Sequence, residues 1–173
     1  MKKDLALWQF AGFVITVALG SVLHFLFDWT GTRLLAPISA VNESTWEHMK
    51  ILFFPRLIFA CVQYFIFRDA YAGFWWIKLI GIVVGVILIP ILFYTSNGAF
   101  GKTRDWLNIA FFFISAALVF FMEYLLFSKD LIFPYPWIAI LCIIAIAIFF
   151  AMFTFYPPRL PIFRDPLTGV YGI

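Results

Sequence analysis

The chain has 173 residues, of which 65% are hydrophobic and 12% charged, against about 45–50% and about 25% in soluble domains. That excludes a water-soluble globular protein and leaves a small polytopic membrane protein, its 24 Phe, 7 Trp and 7 Tyr suited to lipid contact and to aromatic belts at the membrane surfaces. The formal charge of +3 is spread over single basic residues, which excludes a nucleic-acid partner.

Hydrophobic runs long enough to cross about 30 Å of hydrocarbon at about 1.5 Å per residue predict an all-α bundle of five transmembrane helices, with spans at 5–27, 44–69, 75–94, 106–127 and 137–156. The first follows Lys2 and Lys3 and carries a small-residue stretch at Ala18-Leu19-Gly20, but its apolar run continues to Phe27. It reads as a retained helix rather than a signal peptide. The second starts before its apolar run: Ser44-Thr45-Trp46-Glu47 has the form of a capping box, with Ser44 accepting from the Glu47 amide and Glu47 reaching back to the cap amide. Pro55 should kink this helix and Pro90 the third. Gly81 and Gly85 offer a smooth face for helix packing. Cys61 and Cys142 lie inside apolar runs and read as small packed hydrophobes, not as a disulfide framework or zinc motif.

Five crossings place Met1 and residues 68–73 and 128–136 on one side, here side A. Residues 28–43, 95–105 and 157–173 fall on the other, side B. Basic residues divide almost evenly between them, so orientation rests on the first span, where Lys2 and Lys3 against Asp28 put side A in the cytoplasm.

Sidedness gathers polar residues that linear order scatters. His24 and Asp28 are four apart at the side-B end of the first span, Glu43, Glu47 and His48 stand at the start of the second, and Asp105 and Asn108 open the fourth. Both histidines and the carboxylates Asp28, Glu43, Glu47, Asp105 and Asp165 thus share one face. One reading is a divalent metal such as zinc, held by His24, Asp28, Glu43, Glu47 and His48 and able to activate a water with a spare glutamate as base. The other is structural, with a His24–Asp28 bond one turn apart and Glu47 in the capping box.

Arg56 stands within an Ile/Leu/Phe run, where a guanidinium costs about 2.5–3.5 kcal/mol on insertion scales. It should snorkel to side B, pair with Asp28 or Asp105, or contact an anionic ligand with Asp105 and Asn108. Glu123, toward side A, should be neutralised by Lys78, Arg68 or Lys129. For Gln9, Gln63 and Ser115, interhelical hydrogen bonds suffice. Residues 157–173 carry four prolines, which forbid a regular helix, yet also Leu160, Ile162, Phe163, Leu167, Val170 and Tyr171. An ordered, non-helical C-terminal tail capping the side-B face is expected.

The stretch Asn42-Glu43-Ser44-x-Trp46-Glu47-His48 and the tail Asp165-Pro166-x-x-Gly169-x-Tyr171-Gly172 resemble a family of small uncharacterised bacterial integral membrane proteins, a domain of unknown function. The resemblance implies a multi-pass protein of a bacterial cell membrane and no activity. A comparison with membrane metal-hydrolases of the alkaline ceramidase type fails, because spans three to five contain no histidine. The functions left are binding or transport of a small ligand or ion, an accessory membrane subunit, or a metal-dependent hydrolase acting on a lipid or amphiphile. The corresponding partners are the lipid bilayer, a small ligand or ion, another membrane protein, or a second copy of the chain in a homo-oligomer.

Overall fold

A computed structural model describes residues 2–101, 105–129 and 131–173; the side chains of Lys2, Lys3 and Asp105 lie outside the described residues. The helices are α1 (Lys2–Thr30), α2 (Thr45–Phe67), α3 (Phe74–Phe100), α4 (Asp105–Phe127) and α5 (Pro136–Phe155). All five are long and apolar enough to cross a membrane. α1 and α3 outrun the predicted spans, because hydropathy marks only the hydrocarbon segment while helices continue into the interface.

α1 packs on α2, α2 on α3, α3 on α4 and α4 back on α1, while α5 lies outside this ring against α3 and α2. Small residues set the closeness of α1. Gly12 faces Phe59 of α2 and Phe120 of α4, and Gly20 faces Phe112 of α4 and the Ile51 carbonyl, which a Cβ would meet at 3.0 Å. Pro55, lacking an N–H, leaves that Ile51 carbonyl without its helical donor. α2 and α3 are continuous through Pro55 and Pro90.

Gly81 and Gly85 lie where α3 packs against α2 and α4, and they also make room for a side chain. A Cβ at Gly81 would come within 2.8 Å of the Arg56 guanidinium, and one at Gly85 within 2.8 Å of Val119 and 3.2 Å of Arg56. The two glycines admit α4 and, between the helices, an arginine side chain. Cys61 and Cys142 are exposed on the outer surface, among apolar residues such as Ile58, Val62 and Leu141 that are also exposed. They lie on the apolar outer surface rather than in the core.

Arg56 neither snorkels to side B nor pairs with Asp28. It forms a buried ion pair with Glu123 of α4 and donates to the Gly81 carbonyl at 3.0 Å. Lys78 of α3 binds the other Glu123 oxygen at 2.6 Å, while Arg68 contacts Asp69 at 3.7 Å on the surface. Gln9, Gln63 and Ser115 are buried and make none of the expected interhelical hydrogen bonds among the described residues.

Candidate functional site

The side-B site is built on the connection between α1 and α2. Gly31 takes a positive φ of 60°, a conformation glycine adopts without a steric penalty, and turns the chain out of α1. The connection then returns to the bundle. The Ala40 amide donates to the Leu23 carbonyl at 3.0 Å, and Val41 donates to Glu47 at 3.1 Å. Lys50, wholly buried, donates to the Ala36 carbonyl and to the Thr154 hydroxyl of α5, both at 2.8 Å, and pairs with Glu47 at 2.5 Å. Three structural elements are thereby held by one ammonium.

Ser44 caps α2 by accepting from the Glu47 amide at 3.4 Å. The reciprocal half of the expected box is absent, because Glu47 turns to Lys50 and Val41 while Asn42 accepts from the Ser44 amide at 2.9 Å. Glu43 sits between these two anchors and is partly exposed. Its Oε2 lies 3.7 Å from Nε2 of His24 and 3.6 Å from Nε2 of His48. The imidazoles meet edge to face, with centroids 5.2 Å apart. Ligand atoms of the three residues all lie within 4.8 Å of one another.

His48 is oriented from behind. Its Nδ1 lies 2.9 Å from the Ser44 carbonyl, which only accepts, so Nδ1 carries the hydrogen and Nε2 of the neutral ring presents its lone pair toward Glu43 and His24. Such a backbone hydrogen bond commonly fixes the tautomer of a ligating histidine. Zinc ligands 2.0–2.2 Å from the metal at tetrahedral angles stand about 3.4 Å apart; the two Nε2–Oε2 separations are within a few tenths of an ångström of that spacing, and the three ligand atoms together lie within 4.8 Å.

The predicted ligand set therefore divides. His24, Glu43 and His48 come together; Asp28 is exposed at the end of α1, outside the cluster, and Glu47 is a structural partner of Lys50. Asn108 lines the same cavity, whereas Arg56 is not part of its wall. Asp105 lies outside the described residues, in its side chain. Lys50 and Asn42 were missed as organising residues. A lysine three residues after a glutamate in a first helical turn was the available signal for Lys50.

The cluster opens into a cavity of about 420 Å³ between α1, α2, α3 and α4, and Pro166 and Leu167 of the tail form part of its wall. The tail is anchored by Phe163, buried against Trp46 at 4.7 Å and Phe153 at 5.4 Å between ring centroids. Asn42 donates to the Gly172 carbonyl at 3.1 Å, and the Ile173 amide donates to Thr154 at 3.2 Å. Within the tail, Asp165 accepts from the amides of Leu167 at 2.7 Å and Thr168 at 3.2 Å. Burial alone would push this carboxyl up, but the amide hydrogen bonds outweigh it and hold it below its ordinary value.

The model of a family of unknown function, DUF6512, matches residues 1–173. The chain belongs to this family. No curated protein and no solved structure matches it. Membership in DUF6512 brings no reaction with it, so the chemistry must be read from the cavity and its three ligand residues.

Proposed function

We propose that this multi-pass membrane protein binds a divalent transition metal, zinc by preference, at His24, Glu43 and His48. The observation that carries the reading is the convergence of two Nε2 atoms on one Glu43 oxygen, with the Ser44 carbonyl setting the His48 tautomer. Imidazole and carboxylate together suit zinc better than magnesium or calcium, which take all-oxygen sites. Three protein ligands leave one tetrahedral position for an exogenous group, and that position faces a cavity whose remaining walls are mainly aromatic and aliphatic.

The open position supports a second reading, a metal-dependent hydrolase acting on an amphiphile. Binding ranks ahead of hydrolysis because Glu47, the spare glutamate a hydrolytic base requires, is engaged by Lys50 and the Val41 amide.

Elemental analysis of purified protein tests the metal. One zinc per chain is expected, retained by Glu47→Gln and lost in His24→Ala/His48→Ala. Absence of zinc after reconstitution, with thermal stability unchanged by added zinc or chelator, sinks the proposal.

A further inference from the structure

A second cavity, of about 410 Å³, adjoins the first and shares Thr45, Phe93 and Pro166 with it as walls. Their remaining linings differ in chemistry. The first continues inward along Ile51, Ile89, Phe111, Phe112 and Phe113, an apolar slot within the membrane-spanning region. The second lies against the tail and is lined by Arg159 and Arg164, with Tyr94 and Tyr171. Both arginines are exposed, and neither guanidinium forms an ion pair among the described residues. The tail holds Arg164 in place: it pairs through its backbone with Tyr171, and Phe163 beside it is buried.

The His24, Glu43 and His48 cluster lines the first cavity, which meets the arginine-lined one at Thr45, Phe93 and Pro166. Without a cation, the Glu43 carboxylate presents a negative charge that repels an anion. A bound divalent ion reverses the sign to about +1, and the two guanidiniums add about +2. An apolar slot beside three concentrated positive charges matches a molecule with a hydrocarbon chain and a multiply charged anionic head. Arginine forks and an open metal position both favour phosphate oxygens, and the slot's walls include Phe25, Ile109 and Phe113, which are exposed on the apolar outer surface.

We infer that the two cavities form one site for a membrane lipid with a terminal phosphate headgroup, the chain lying along Phe111–Phe113 and the phosphate between the metal-loaded cluster and Arg159 and Arg164. This deepens the metal reading and rests on it for the sign of the charge at Glu43. The phosphate occupies the open metal position and accepts from the two guanidiniums.

Native mass spectrometry of the purified full chain in detergent tests it, with dioleoyl phosphatidic acid, dioleoylglycerol and inorganic phosphate as probes. Zinc-loaded protein is expected to retain phosphatidic acid at least about tenfold better than dioleoylglycerol, the equivalent of one charge-assisted hydrogen bond. Arg159→Gln/Arg164→Gln should reduce that preference while zinc content and unfolding temperature stay unchanged, and Arg159→Lys/Arg164→Lys should restore part of it. Stoichiometric zinc with equal retention of the two lipids overturns the lipid site and leaves the metal site standing. Inorganic phosphate displacing phosphatidic acid at equal concentration overturns the role of the slot. An arginine-dependent preference of equal size in zinc-free protein overturns the metal's part in the lipid site.

Discussion

Arg56 of α2 and Glu123 of α4 form an ion pair across the interior of the bundle, both side chains buried, and Lys78 of α3 takes the second oxygen of the same carboxylate. One anion thus neutralises one of two cations, and three of the four ring helices are joined at a single point. Removing one member of a buried pair leaves an uncompensated charge, at a cost of about 3–5 kcal/mol. Glu123→Gln should therefore lower stability by that order in thermal or denaturant unfolding in detergent. Arg56→Leu/Lys78→Met/Glu123→Leu should recover most of the loss, since apolar replacement of a buried ion network is often near neutral. An unfolding midpoint unmoved by Glu123→Gln would show that the network contributes nothing.

Gly81→Ala should act through the same network. The added Cβ would meet both the Arg56 guanidinium and Glu123, and overpacking of this kind costs about 1–3 kcal/mol. The effect should shrink in a Glu123→Gln background, where the pair is already broken. Fully additive losses would place the strain elsewhere.

Lys50→Met should loosen the cavity wall without touching a ligand residue. It strands Glu47 in a buried position and frees the Ala36 carbonyl and the Thr154 hydroxyl. The expected loss is again about 3–5 kcal/mol. Lys50→Met/Glu47→Leu should lose less. Zinc content measured at a temperature where the single variant is folded separates this structural role from ligation, and should stay at one per chain.

Acidification should release the tail through Asp165. Its carboxyl is lowered in the native protein, so its stabilising contribution is complete above the ordinary aspartate value of about 3.9 and is lost as pH falls through the lower native value. Protection of the Leu167 and Thr168 amides against hydrogen exchange should thus be constant from neutral pH to about pH 4 and decline below it. In Asp165→Asn that decline should vanish. Gly172→Ala should release the tail at every pH: φ there is 62°, and a Cβ would meet the Thr154 carbonyl at 2.6 Å. Limited proteolysis after Arg159 or Arg164 would report it.

The five helices were legible because an apolar run of about twenty residues has few alternatives to a membrane span. The start of α2 was legible for a different reason, the Ser44 cap. The partner of Arg56 was not. Phe59 and Phe120 share a level beside Gly12, so Arg56 and Glu123 lie about six residues, or about 9 Å, apart along the bundle axis. An extended arginine spans that distance only because Gly81 leaves a passage. Side-B convergence of His24, Glu43 and His48 followed from counting crossings, whereas excluding Asp28 and Glu47 required knowing that α1 leaves the former exposed and that Lys50 folds inward onto the latter.

Lys50 and Arg56 give α2 the lowest mean hydropathy of the five helices, and the carboxylate that Arg56 needs belongs to α4, which is synthesised two helices later. During insertion α2 therefore carries Arg56 without its carboxylate, at a cost of about 2.5–3.5 kcal/mol on insertion scales, until Glu123 emerges. The order of synthesis makes α4 the step that commits α2 to the bilayer, so a chain truncated before Glu123 should leave its second helix poorly inserted even though every residue of that helix is present.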